Sequence, residues 1–286
     1  MDIQGAQQSL LSLLTSLYPD REAAVITDWV MENITGRKKI DRLIYKNTAL
    51  SPAESDLLQR YSAELQTHRP VQYVLHESWF AGMKFYVDEQ VLIPRPETEE
   101  LVQWVVETLR SAGGPGRPAI LDIGTGSGCI AIAVQHLLPL ARVTACDISE
   151  GALSVARRNA ASLGSELNFL QLDILDPSQW ATLPSFDCIV SNPPYIPIQD
   201  KASMTPHVLE FEPHLALFVE DRDPLLFYRA IAGLAGEKLS PGGSVLAEIH
   251  EDLAAPVRAL FHDHGFQKVI IKKDMQGKDR MISATR

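Results

Sequence analysis

The period of the apolar positions changes twice along this chain. Up to about residue 72 they recur at helical spacing, with Leu10, Leu11, Leu13, Leu14, Leu17 and Tyr18 in one segment and Val25, Trp29 and Val30 in the next. "TALSPAESDLLQRYSAEL" predicts a helix capped by Ser51, with Pro52 at its first position and Glu54 three residues after the cap. In that arrangement two otherwise unpaired N–H groups are satisfied reciprocally. From 73 to 96 the chain turns aromatic and β-branched, and Ala81-Gly82 between two strand-like runs predicts a hairpin. A new helix is expected from "IPRPETEE", and "RSAGGPGRP", Arg110 to Pro118, reads as a loop.

Beyond that loop, β-branched runs alternate with helical stretches. Strands are expected at 119–123, 142–147, 167–172, 186–191, 244–249, 266–272 and 280–284, with helices such as 151–163 and 224–239 separating most of them. This alternation predicts an α/β fold with a parallel sheet and right-handed crossovers. Only "DMQGKD" separates the last two strands, so they are expected as an antiparallel pair at one edge. The expected organisation is a helical domain over 1–72, a β-hairpin linker over 73–96 and the α/β domain over 97–286.

Composition narrows the class. The 286 residues, 45% hydrophobic and 22% charged, suit a globular protein of one large or two smaller domains. No apolar run approaches the roughly 18 residues of a membrane span. The first residues lack a basic stretch and a small-residue cleavage site, so a cytoplasmic protein is expected. Cys129, Cys146 and Cys188 sit apart in apolar segments without a C-x-x-C, which predicts buried thiols. His262 and His264 lack further ligands nearby and are expected at a solvated helix end, with no metal site. A net charge of −10 argues against a duplex-binding surface, which needs cations to neutralise phosphates. The exception is "GRKKIDRLIYKN", Gly36 to Asn47, read as a solvated helix face or a patch for a partner.

Candidate chemistry begins at "AILDIGTGSGCIAIAV". Gly124, Thr125, Gly126, Ser127 and Gly128 lie between the first strand of the α/β domain and a helix, where a glycine backbone turns sharply and approaches a ligand. The Gly-Lys-Ser/Thr ending of a nucleoside triphosphate loop is missing. Asp147 ends the second strand, 19 positions after Gly128, where a carboxylate can accept both hydroxyls of a ribose. Asp122 beside the loop would be a liability next to a pyrophosphate but is tolerable near the sulfonium of S-adenosylmethionine. Asp173, closing the third strand, is expected to reach the adenine amino group, and Ile174 to cover the ring.

"NPPY", Asn192 to Tyr195, follows the fourth strand on the same carboxyl edge. Each proline disfavours a helical conformation in the residue before it, so Asn192 and Pro193 are expected extended and stiff. A planar NH2 nitrogen that attacks a methyl group carries two donors. The Asn192 side-chain oxygen and the Pro193 carbonyl can accept one each, while Tyr195 stacks on the flat face. Glutamine, adenine and cytosine all offer such a nitrogen. A nucleic-acid amino methyltransferase and a non-catalytic S-adenosylmethionine-binding module therefore stand as alternatives.

"RPVQYVLHESWF", "VLIPRPETEELV", "LDIGTGSGCIAIAV", "DISEGALSVARRNA", "FDCIVSNPPYI", "EPHLALF" and "LSPGG" together resemble the peptide-chain release factor glutamine methyltransferases in order and spacing, over about 70–286. The resemblance implies a Rossmann-like S-adenosylmethionine-dependent methyltransferase sheet of seven strands, with the helical N-terminal domain docking the substrate. The implied substrate is a class 1 release factor, methylated on the side-chain amide N5 of the glutamine in its Gly-Gly-Gln motif, with S-adenosylhomocysteine as product. It also implies cofactor contacts from Gly124–Gly128, Asp147, Ile174 and Asn192, with Asn192, Pro193, Pro194 and Tyr195 holding the glutamine. Ile174 stands where the family often carries tryptophan, and "EIHEDL" lacks a glycine expected after Ile249.

Overall fold

The computed structural model describes residues 1–111 and 116–286. Its contacts fall into two units, Met1–Glu77 with Thr205–Phe211, and Ser78–Met204 with Glu212–Arg286. Of the loop expected at 110–118, residues 112–115 lie outside the described residues, and Arg110 and Ser111 close a helix instead.

The first unit holds α1 (Ile3–Leu14), α2 (Asp20–Thr35), α3 (Lys39–Ile44), α4 (Pro52–Leu65) and α5 (Val71–Leu75). Ser51 caps α4 with the reciprocal bonds its sequence predicts, Ser51 N to Glu54 Oε2 at 2.7 Å and Glu54 N to Ser51 Oγ at 3.2 Å. Leu10, Leu14, Ile26, Val30, Leu65 and Val74 form the core of the unit. On α2 the sequence pattern misleads in part: Ala23, Ile26, Val30 and Ile34 face inward, while Val25 and Trp29 are 43% and 44% exposed. The basic segment is not wholly solvated either. Arg42 is buried, paired with Asp28, and donates to the Arg37 carbonyl at 2.6 Å, so this cation serves the fold.

The second unit opens with the hairpin β1 (Ser78–Phe80) and β2 (Met83–Phe85), followed by α6 (Pro96–Ser111). It continues through β3 (Ala119–Ile123), α7 (Cys129–Leu137), β4 (Arg142–Asp147), α8 (Glu150–Leu163), β5 (Asn168–Gln171) and β6 (Phe186–Ser191). A two-residue strand β7 (Ile196–Pro197) pairs in parallel with β8 (Phe218–Val219). Between them lie α9 (Pro206–Phe211), which groups with the first unit, and α10 (His214–Leu217). The chain ends with α11 (Leu226–Lys238), β9 (Leu239–Glu248), α12 (Ala254–Asp263), β10 (Lys268–Lys273) and β11 (Asp279–Thr285).

Seven strands form one sheet in the order β10-β11-β9-β6-β3-β4-β5. β11 runs antiparallel to both β9 and β10, and the remaining pairs are parallel. The antiparallel edge pair is thus present as its short turn predicts. Side-chain alternation sorts the strands between two cores. Leu121, Ile123, Val245 and Ala247 pack with Tyr228 and Phe261 from α11 and α12. Ile120, Val190 and Leu246 pack on the opposite face with Leu101 and Val105 of α6 and Ile130 of α7. Phe80 and Phe85 of the hairpin join that second core. β9 begins at Leu239, before the expected 244, with "SPGG" inside the strand, and the register of its partner shifts between Phe186 and Cys188. All three cysteines are buried, and His262 and His264 are exposed at the end of α12.

Candidate active site

Strand order reverses at β3: the chain adds β4 and β5 on one side, then returns to place β6 on the other. The connections leaving β3 and β6 therefore diverge and open a cleft beyond the carboxyl ends of the strands. Ser191 Oγ donates to the Ile123 carbonyl at 2.8 Å and ties the two strand ends together beneath it. The glycine loop follows β3, and Asn192–Tyr195 follows β6.

The cleft has a volume of about 230 Å³, and its lining includes Gly124, Thr125, Gly126 and Ser127. Gly124 and Gly126 have φ of +70° and +54°, and a Cβ added at either would meet no protein atom within 4 Å. Side chains there would instead occupy the cleft, so the loop presents bare backbone to a ligand. Gly128 differs. It does not line the cleft; it caps α7, and a Cβ would stand 3.1 Å from Ile132 Cδ1 and 3.2 Å from Ala156 Cβ. The glycine is needed there for close helix packing. Asn159 holds the loop from behind, its Nδ2 donating to the Ser127 and Tyr86 carbonyls at 2.9 Å.

Asp147 lines the cleft at the end of β4. Its Oδ2 accepts from Gly126 N and its Oδ1 from Ser149 N, both at 3.0 Å. Four acceptor sites on a carboxylate leave capacity for a ligand's hydroxyls. Burial raises the Asp147 pKa, against the lowering effect of those N–H donors. Asp122 is not at the cleft wall. It is fully buried under the loop, accepts from Thr125 Oγ1 at 2.7 Å, and burial pushes its pKa up to about 7. Through Thr125 it holds the loop from beneath. Asp173 and Ile174 line the cleft after β5; the Asp173 Oδ1 accepts from Leu175 N at 2.8 Å, and Ile174 is buried. Phe227 and Ile231 of α11 extend this apolar side, which the sequence reading did not identify.

Asn192, Pro193 and Pro194 also line the cleft. Tyr195 does not: it is half-buried, edge-on to His250, and its hydroxyl donates to Glu248 Oε1 at 2.8 Å. Burial and the neighbouring Glu248 carboxylate raise the phenol pKa strongly. Asn192 Nδ2 donates to Thr98 Oγ1 at 3.2 Å, and Thr98 Oγ1 donates to the other Glu248 oxygen at 2.7 Å. The "IPRPETE" segment thus reaches the site through Thr98, and also through Arg95, whose Nη2 lies 2.6 Å from Glu212 Oε1. Glu212, 4% exposed, also accepts from Ile93 N at 3.2 Å and joins "IPRPETE" to "EPHLALF". Thr98, Glu212 and Glu248 carry no local pattern that marks a site. Where a glycine was expected after Ile249, His250 instead caps the short turn Glu251–Leu253, accepting from Asp252 N at 3.2 Å.

A bare-backbone loop, a carboxylate at the neighbouring strand end and an apolar side wall suit a nucleoside. Among the described residues no cluster of His, Cys, Asp and Glu is arranged to hold a metal, and no helix is long and apolar enough to cross a membrane.

The family model described as "Methyltransferase small domain" matches residues 102–210. Among solved structures, the hMettl16 catalytic domain in complex with an RNA hairpin aligns with a TM-score of 0.56 and 16% identity, over 81% of this chain and 80% of that one. The 16S rRNA N2 G1207 methyltransferase of Thermus thermophilus, in complex with AdoMet and guanosine, aligns with a TM-score of 0.52 and 17% identity, over 73% of this chain and 49% of the other. These two share the fold. Sequence similarity goes further. A release factor glutamine methyltransferase of Flavobacterium psychrophilum is 39% identical over 99% of this chain and 98% of its own length. One from Bacteroides thetaiotaomicron is 39% identical over 96% of each. One from Lactococcus lactis is 37% identical over 96% of this chain and 98% of its own. The chain belongs to the release factor glutamine methyltransferases, S-adenosylmethionine-dependent enzymes built on a Rossmann-like sheet.

Proposed function

We propose that this enzyme methylates the side-chain amide nitrogen, N5, of the glutamine in the Gly-Gly-Gln motif of class 1 peptide-chain release factors. The observation that carries the reading is the shared cleft, in which the Asn192–Pro194 turn and the glycine loop both stand at the reversal of strand order. Gly124–Ser127 hold the cofactor through bare backbone, Asp147 accepts the ribose hydroxyls, Asp173 the adenine amino group, and Ile174 covers the ring. The bound cofactor supplies an electrophilic methyl on sulfur. Asn192 Oδ1 and the Pro193 carbonyl each accept one N–H of the glutamine amide and turn its nitrogen toward that methyl. The amide nitrogen would take the methyl as the methyl–sulfur bond breaks, leaving S-adenosylhomocysteine. The N–H proton, acidic at that stage, would leave to water past the acceptor oxygens, so no strong base is required. Catalysis is mainly alignment and preorganised hydrogen bonding. Tyr195, anchored through its hydroxyl on Glu248, stiffens the turn.

The helical unit docks the release factor, and the exposed cations Lys38, Lys39 and Lys46 of its basic segment meet acidic surface on that partner. The test is transfer of labelled methyl to a purified release factor, beside a Gln→Ala variant of its Gly-Gly-Gln motif and a DNA control. Label on the unaltered factor alone supports the assignment. Label on DNA, or on the Gln→Ala variant, overturns it.

A further inference from the structure

An asparagine amide is nearly symmetric in shape but opposite in polarity at its two ends. If Asn192 presented its NH2 to an incoming glutamine NH2, two donors would face each other and the acceptor role would fail. The polarity is decided by a proton count behind the turn. Glu248 is a buried carboxylate whose Oε1 accepts from Tyr195 and whose Oε2 lies 2.7 Å from Thr98 Oγ1. When ionised, this carboxylate has no proton to give, and the single hydroxyl proton of Thr98 then points to Glu248, the direction in which the two oxygens are paired. Only the Thr98 lone pairs remain for Asn192, which therefore approaches nitrogen first, at 3.2 Å. Its Oδ1 is left as the free acceptor end.

We propose that Thr98, with Glu248 behind it, is a positioning residue that fixes the flip of the Asn192 amide so that Oδ1 faces the group to be methylated. This inference rests on the proposed reading of the Asn192–Tyr195 turn as the acceptor site. Tyr195 holds the far oxygen of Glu248 in the accepting role, and Tyr228 Oη donates to the Glu248 backbone carbonyl at 3.0 Å, fixing the strand end. The charged and titratable groups facing Glu248 are Glu97 of α6, Tyr195, Tyr228 of α11 and Arg280 of β11. Burial raises the Glu248 pKa, while Thr98, Tyr195 and Arg280 oppose the rise by stabilising the anion. Once protonated, Glu248 is itself a donor, and the order of donors along the chain is no longer imposed.

The test compares Thr98→Val, which keeps the shape and loses the hydroxyl, with Thr98→Ser, which keeps the hydroxyl. Thr98→Val is expected to lower kcat about tenfold or more, from the loss of one buried hydrogen bond before any alignment effect. The S-adenosylmethionine Kd should stay within about twofold of wild type, and Thr98→Ser should restore most of kcat. In an Asn192→Ala background Thr98→Val should cost nothing further, since there is no amide left to orient; an equal loss in both backgrounds would overturn the proposal. The acid-side fall of kcat in wild type should be absent in Glu248→Gln, and its persistence there would remove Glu248 from the chain. A second readout needs no turnover. In 15N-labelled protein with S-adenosylhomocysteine, one side-chain NH2 proton of Asn192, identified by its loss in Asn192→Ala, should be protected from solvent exchange. That protection should vanish in Thr98→Val and survive in Thr98→Ser; equal protection in both overturns the proposal. If wild type transfers no methyl to a release factor, the substrate reading falls while this readout still decides the orientation. If wild type transfers normally and Thr98→Val does too, the positioning role falls alone.

Discussion

The glycine loop after β3 and the Asn192–Tyr195 turn after β6 leave neighbouring parallel strands and line one cleft, yet they are held by different means. The loop is set by backbone and by partners within a few tens of residues: Thr125 to Asp122 three positions away, Gly126 N to Asp147 across 21 and Asn159 to the Ser127 carbonyl across 32. The turn is set by side chains from remote segments, Asn192 to Thr98 across 94 positions and Thr98 to Glu248 across 150. The proposed cofactor half of the site is thus the more local device, with its geometry set by glycines, the end of β4 and one asparagine of α8. The acceptor half exists only when α6, β6 and β9 have assembled. Damage to the first should appear in cofactor affinity, and damage to the second in turnover.

The sharpest way to break this contrast is Asn192→Ala. It removes one amide acceptor, worth about 1–3 kcal/mol before misalignment is added, so kcat should fall about a hundredfold or more with the fold intact. Wild-type turnover, measured by single-turnover methyl transfer, would end the acceptor role. Next is Asp122→Asn beneath the loop. With a folded pKa of about 7, against about 4 for an ordinary aspartate, the native state holds this proton more tightly than the unfolded chain. The group's contribution to stability is therefore full below about pH 4 and is lost as pH rises through about 7. Asparagine keeps the acceptor for Thr125 and cannot ionise. The variant should be more stable than wild type above pH 7, by on the order of 4 kcal/mol, with the difference shrinking toward pH 4. Parallel denaturation midpoints for the two proteins from pH 4 to 8 would refute this.

Asp147→Ala should raise the S-adenosylmethionine Kd by roughly tenfold or more, through two lost charge-assisted hydrogen bonds, and change kcat at saturation far less. Calorimetry beside saturating kinetics separates the two, and an unchanged Kd would mean that the ribose lies elsewhere. The smallest expected effect is that of Gly128→Ala. Its φ of +81° and the contacts at 3.1 and 3.2 Å predict a loss of about 1–2 kcal/mol of stability, with Kd affected only as the loop shifts. A large rise in Kd at unaltered stability would return Gly128 to the ligand.

How far the sequence carried the reading varies by element. The strands from β3 to β6 and the capping box at Ser51 were legible because their signals lie within a few residues: β-branched runs, a cap and its partner three positions on. The start of β9 was not, because Leu239 pairs with Phe186, more than fifty positions earlier, and "SPGG" falls in the register break and offers no alternation of its own. The exposure of Val25 and Trp29 was hidden because helical spacing alone admits more than one face, and only neighbours choose between them. Arg42 looked like one more solvated cation until Asp28 was brought against it. Asp122 was correctly located beside the loop, but burial determined that it titrates near 7 and lies under the loop.

The sequence by itself determined the kinds of groups at the site: glycines where the backbone must approach a ligand, an aspartate at the next strand end, and two prolines that stiffen an asparagine. Such properties depend on φ, on ring closure and on near neighbours, and the chain carries them wherever it goes. Tertiary structure alone decided that Tyr195 is anchored on Glu248, that Gly128 serves helix packing, and that Thr98 meets Asn192. Those outcomes depend on which distant side chains share one buried volume, where every donor must find an acceptor.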